Sequence, residues 1–214
     1  MGIDFASLGN APAAPTPAPA AAPVAMGGLS VDLTKNTVLY ITKRNPGLKN
    51  ITLGAGWDIA TQGKEFDLDL FAFLIGDTDK VTSTSDVIFF GNKTASGVSL
   101  AGDNRTGAGE GDDETMTVAL DQVPDRIKRI VLCIDIYDAQ NRRQTFGMVN
   151  NAYVRVLDKD NGDKQLCKYP LKDDYSTDTG IIVAELIRNG SEWDFHTIGE
   201  GKVANINGFL QMFS

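Results

Sequence analysis

The sequence predicts a mainly β protein, a two-sheet β-sandwich with a few short helical turns and a disordered N-terminal tail. Three observations carry this. Runs rich in Val, Ile, Thr, Phe and Tyr recur from Leu29 onward, clusters of Gly, Asn and Asp separate them, and helical periodicity is weak throughout. Many short strands at near-regular spacing bury their apolar faces most economically as two sheets packed face to face.

Taken in order, residues 1–28 form the tail. Its stretch "NAPAAPTPAPAAAPVAMGG" (10–28) is nearly all Ala, Pro and Gly, a composition that cannot bury enough apolar surface to offset ordering and favours extended linkers. Ahead of it "MGIDFASLG" carries Ile3, Phe5 and Leu8, which could dock on a protein partner. Residues 29–214 form the domain. Its predicted strands are "SVDL", "VLYITK", "ITLGAGW", "FDLDLFAFLIG", "DVIFFG", "TMTVAL", "RIVLCIDIYD", "NAYVRVLD", "TGIIVAELIR" and "EWDFHTIG". "GDTDK" and "DKDNGDK" (158–164) supply the side-chain hydrogen bonds and positive φ angles of turns. Single helical turns are expected at "LDQVPDRIK" and at the terminal "ANINGFLQMF". In "RIVLCIDIYD" Ile130, Leu132, Ile134 and Ile136 share one face and Val131, Cys133, Asp135 and Tyr137 the other. Both faces are largely apolar, as in a central strand.

A chain of 214 residues with 42% apolar and 22% charged residues is long enough for one well-buried core. Its net charge of −8 and pI near 4.6 argue against a nucleic-acid partner, because phosphate neutralisation dominates that affinity. An acidic surface draws cations or basic partners instead. Cys133 and Cys167 stand far apart, outside any CxxC pair, and read as buried apolar filler. No run of about 18 apolar residues predicts a transmembrane segment, and no basic, then apolar, leader opens the chain. Ala6 stands where a myristoylation signal needs Ser or Thr. A cytoplasmic location is therefore expected.

Two acidic segments carry the functional signal. In "FDLDLFAFLIG" period two puts Asp67 and Asp69 on the face of Phe71 and Phe73, with α-carbons roughly 6 to 7 Å apart. Both can lean toward one cation; the plain alternative is a strand emerging into solvent. "GDNRTGAGEGDDE" (102–114) packs Asp103, Glu110, Asp112, Asp113 and Glu114 around Gly107, Gly109 and Gly111. Calcium takes six to eight oxygens at about 2.3–2.6 Å. Asp103, Asn104, Thr106, Asp112, Asp113 and Glu114 offer side-chain oxygens, and the glycines let backbone carbonyls face inward. Magnesium is the alternative ion, and zinc is disfavoured by the lack of paired Cys or His. The segment is not an EF-hand: counted from Asp103, Arg105 and Gly107 occupy the third and fifth positions, where oxygen ligands are required.

Asp58 in "GAGWD" and Asp138 in "IYDAQNRRQ" close predicted strands and can reach a strand-end metal site or simply form turns. Glu185 interrupts "GIIVAELI" on the predicted face of Ile181, Val183 and Ile187, and a buried carboxylate needs a partner. A cation, Arg142 and Arg143 are the candidates.

The motifs "GLSVDLTK", "LGAGWD", "FDLDLFAFLI", "GDNRTGAGEGDDE", "DAQNRRQTFGMVNNAYVRV" and "VAELIRNGSEWDF" occur in the order seen in the tellurium-resistance TerD-like family, which this chain resembles from residue 29 to about 200. The resemblance implies a β-sandwich that binds calcium through acidic loops and serves tellurite resistance or broader stress responses. Carried to this sequence, it implies ligands among Asp67, Asp69, Asp103, Asn104, Asp112, Asp113 and Glu114. The Ala/Pro tail departs from that single-domain pattern.

Catalysis is not expected. His196 is the one histidine, placed by period two on a solvent face with Glu192 and Asp194, and no GxSxG elbow or HExxH helix is present. "GAGEGDD" lacks the lysine of a phosphate loop. A calcium-binding sensor or scaffold, with protein partners met through the tail or the metal-site surface, fits best. A calcium-dependent membrane adaptor and a tethered structural component of an assembly are the alternatives.

Overall fold

The computed structural model describes residues 30–58, 66–101, 111–171 and 175–214. Its strands are, in chain order, β1 (Val31–Asp32), β2 (Val38–Leu39), β3 (Asn50–Asp58), β4 (Leu68–Ile75), β5 (Val87–Ile88), β6 (Thr94–Ala95) and β7 (Val98–Leu100). There follow β8 (Glu114–Ala119), β9 (Arg129–Ile136), β10 (Asn150–Asp158), β11 (Lys164–Pro170), β12 (Gly180–Asn189) and β13 (Glu192–Lys202). Short helices α1 (Ile41–Arg44), α2 (Ala139–Arg142) and α3 (Ile206–Met212) punctuate them. One sheet runs β1-β11-β10-β3-β8-β7-β6 and the other β2-β13-β12-β9-β4-β5. The two-sheet architecture is the one the strand spacing predicts.

Alternation places the core. Ile51, Leu53, Ala55 and Trp57 of β3 meet Leu68, Leu70, Ala72 and Leu74 of β4 and Ile130, Leu132, Ile134 and Ile136 of β9 in the main apolar cluster between the sheets. The opposite face of β4 and β9, with Phe71, Phe73, Ile75, Val131 and Cys133, would meet water if nothing covered it. The terminal helix α3 covers it with Phe209 and Leu210, and Phe213 just beyond the helix packs on Phe73 at 5.1 Å between ring centroids. Every residue of β9 is consequently buried, as its two apolar faces predict. Burial makes both thiols poor acids, with Cys167 pushed up to about 12, so the cysteines serve as apolar filler.

The first strands seal one side of the sandwich. β1 adds parallel to β11, and β2 adds antiparallel to β13, so the segment between them crosses from one sheet edge to the other. The Thr197 hydroxyl fastens this crossing by accepting the Thr37 N–H at 2.8 Å and donating to the Thr34 carbonyl at 2.6 Å.

Four expectations need correction. "VLYITK" is strand only through Leu39; from Ile41 it turns into α1, whose buried Ile41 anchors it beside β13. "LDQVPDRIK" forms turns rather than helix. In β12 the register shifts between Ile182 and Ala184, so Ile181 and Val183 join the core between the sheets while Glu185 does not share their face. A β-bulge adds one residue to one strand and thereby breaks strict period two. His196 pairs with Glu185 and is half-buried, and Asp194 is buried, so that face is less solvated than predicted. "DKDNGDK" does form the β10–β11 turn, with Gly162 at a φ of 65°.

Candidate functional site

β3 ends, β8 begins, β4 begins and β9 ends at one end of the sandwich, because antiparallel pairing runs β3 against β8 and β4 against β9. The two acidic segments, remote in sequence, are therefore neighbours. Glu114 joins them: its register partner is Ala55, a core residue of β3, so its side chain points between the sheets and is buried. There its Oε2 accepts the Leu70 N–H of β4 at 2.6 Å.

Around this bridge the carboxylates fall into two groups. The first sits on β3 and β8. Asp113 extends the ladder past the last strand pair: its N–H donates to the Ala55 carbonyl at 2.8 Å and its Oδ2 accepts the Trp57 N–H at 2.9 Å. Burial raises its pKa, the Trp57 bond opposes this, and the charges of Asp112 and Asp58 raise it further. Asp58 is exposed and accepts the Asn151 amide at 2.5 Å. Asp112 lies against Gly54, where any Cβ would strike its carboxylate. Its Oδ1 takes Arg155 Nε at 2.8 Å and the Tyr153 hydroxyl at 3.1 Å. Burial and the Asp112 carboxylate together push the Tyr153 hydroxyl up to about 12.

The second group sits on β4 and β9, on the face away from the main core, with Phe71 and Phe73 as period two predicts. Asp67 is buried, and Arg142 of α2 approaches its Oδ2 at 3.9 Å. Asp69 stands directly opposite Asp135 across the β4–β9 pair. Asp135 is buried and its pKa is raised well above the ordinary value, first by burial and then by Asp69, with a backbone bond from Ile206 opposing and Asp67 adding to the rise. Asp138, at a φ of 53°, accepts the Asn141 amide at 2.7 Å and opens α2, so it forms the turn that ends β9.

Glu185 belongs to neither group. Its Oε1 accepts Arg129 Nη1 at 3.0 Å, and Arg129 Nη2 also reaches Asp79 at 3.2 Å. Its partner is thus Arg129 rather than Arg142 or Arg143: β12 pairs with β9, and Arg129 faces Ile187, two residues from Glu185. Burial still raises the Glu185 pKa against the pull of Arg129. Asp103, Asn104 and Thr106 lie outside the described residues.

Chemically, both groups offer hard carboxylate oxygens suited to calcium or magnesium. Among the described residues no three acidic, histidine or cysteine side chains gather into a metal cage. Asp135 and the partners Arg155 and Tyr153 escaped the sequence reading. A signal for Asp135 existed, since an aspartate interrupting a strand apolar on both faces needs a reason to be there.

A TerD domain model matches residues 29–213. The chain belongs to the TerD family. It is 43% identical over 176 residues to the tellurium resistance protein TerD of Serratia marcescens, covering 81% of this chain and 91% of that one. General stress protein 16U of Bacillus subtilis (strain 168) is 41% identical over 177 residues, covering 81% of this chain and 91% of its own. A Streptomyces coelicolor homologue of the telluride resistance protein, known by crystal structure, superimposes with a TM-score of 0.62 at 25% identity, over 75% of this chain and 94% of its own. The TerD fold thus extends over the two sheets described above. Among the described residues no helix is long and apolar enough to cross a membrane.

Proposed function

We propose that this TerD domain binds calcium at the acidic end of the sandwich and acts, without catalysis, as a stress-response sensor or scaffold. The observation that carries the reading is the Glu114–Leu70 bond, which holds the 112–114 segment against β4, the strand that follows Asp67 and carries Asp69. Asp113, whose pKa is raised by burial and then by the charges of Asp112 and Asp58, suits a hard cation together with Asp58. Asp67 and Asp69 form a second acidic group on the outer face of the other sheet. The described carboxylates do not complete a ligand set by themselves, and Asp103, Asn104 and Thr106 would supply the remaining oxygens. Asp112 is bonded to Arg155 and serves to hold the loop's exit in place. Calcium would supply positive charge where like charges now face one another.

A sensor or scaffold also needs a reader, and the proposed contacts are the metal-site surface and the N-terminal segment with Ile3, Phe5 and Leu8. Titration calorimetry of the full chain with calcium, and melting in calcium against chelator, test the reading. Saturable binding with a higher melting temperature supports it; unchanged melting at millimolar calcium overturns it.

A further inference from the structure

Between β4, β9 and the start of α3 lies a cavity of about 410 Å³, in the size range of small-molecule sites. We propose that it binds a small organic cation, an ammonium or guanidinium group on a short carbon body. Asp69, Asp135 and Asp138 contribute to its wall, and among the described lining residues none is Lys, Arg or His, so the charged side chains of that lining are carboxylates. Phe89, Phe90 and Tyr137 line it as well, and aromatic faces attract cations that carry apolar bodies. Arg142, outside the lining, already places its guanidinium 5.3 Å from the Tyr137 ring centroid, so Phe89 and Phe90 are the aromatic side chains left to meet the ligand. Side-chain amides of Gln140 and Asn207 can accept further N–H groups.

An organic cation fits better than a bare metal ion. Calcium needs six to eight converging oxygens at about 2.3–2.6 Å; amide and hydroxyl side chains do line the wall beside the acids, but no metal cage forms among the described residues, and Phe89 and Phe90 offer faces that suit a carbon body. The inference shares Asp69 with the calcium reading but does not rest on it.

Calorimetry of the full chain in a calcium chelator, with cadaverine as the cation and pentanediol as its uncharged counterpart, tests the proposal. Cadaverine is expected to bind saturably at one site and pentanediol not at all. Asp135→Asn removes a carboxyl that a bound ammonium would hold in its ionised form and is expected to weaken binding about tenfold or more. Should that variant fold poorly by melting, Val203→Trp, at a lining residue 68% exposed, narrows the mouth without touching the charge and is expected to lower affinity too. Asp112→Asn with Asp113→Asn, which impairs the proposed calcium site, is expected to leave cadaverine binding intact. The proposal is overturned by absent binding at millimolar cadaverine, by equal binding of the diol, or by binding lost only in the Asp112/Asp113 variant.

Discussion

The Glu114 carboxylate accepts the Leu70 N–H at 2.6 Å, and through this one bond the first residue of β8 closes the unpaired edge of β4 in the opposite sheet. β5 pairs only with Ala72 and Phe73, so it leaves the earlier part of β4 without a strand neighbour on that side. A carboxylate there satisfies a backbone donor and also blocks pairing with another chain. Glu114→Ala leaves the buried N–H unsatisfied and is expected to cost about 1–3 kcal/mol. Glu114→Gln, which retains an acceptor oxygen, is expected to cost less. Urea denaturation of both variants in chelator measures the difference.

Asp112 and Gly54 make a second prediction. The carboxylate occupies the space a Cβ at Gly54 would need, so Gly54→Ala must displace it from Arg155 and Tyr153. In an Asp112→Ala background that clash is gone, and Gly54→Ala is expected to cost much less. The double-mutant cycle should return a coupling of about 1 kcal/mol or more. Additive effects would show that Asp112 does not depend on the open glycine surface.

Calcium should act through the native state alone. At a free concentration about a hundredfold above the dissociation constant, it is expected to add about 2.7 kcal/mol of stability. Asp58→Asn combined with Asp113→Asn is expected to reduce this increment while leaving the core folded in chelator, since neither side chain belongs to the apolar clusters. Melting of the wild type and the variant, each with and without calcium, reads the effect directly.

Much of this layout is legible in the sequence. The doubly apolar run 130–136 marks β9 as central, and period two places Asp67 and Asp69 beside Phe71 and Phe73 because β4 contains no bulge. Glu185 departs from strict alternation. One added residue near Val183 moves it off its predicted face, and neither composition nor spacing announces a bulge. Its bond to Arg129 likewise depends on the β12–β9 register, which is a long-range property. Asp135 was visible as a residue, but its confrontation with Asp69 appears only once β4 and β9 pair.

The buried pair Arg129–Glu185 gives a large expected effect. Both side chains are about nine-tenths buried, and removing one partner strands the other's charge. Arg129→Met is expected to cost about 3–5 kcal/mol. Replacing both, Arg129→Met with Glu185→Leu, is expected to recover most of that loss, because two well-packed apolar side chains leave no charge to solvate. Chemical denaturation of the single and double variants separates the outcomes; a double variant as unstable as Arg129→Met would place the cost in packing.

Asp135 sets a pH dependence whose sign follows from linkage. Its folded-state pKa lies well above the 3.8 of the free group, so the native protein holds a proton that the unfolded chain releases as pH rises past that value. Stability from this group is fully present below the unfolded pKa, and it declines as pH climbs toward the folded one. In chelator, melting temperature should fall across this range, and Asp135→Asn, which cannot ionise, should flatten the slope. The Glu185 carboxyl, also raised by burial, adds a slope of the same sign that the Asp135 variant leaves in place. Melting curves collected upward from pH values below 3.8 therefore isolate the Asp135 contribution as the difference between wild type and variant. A variant with the wild-type slope would show that the carboxyl facing Asp69 is already ionised throughout, with its charge balanced by neighbouring donors.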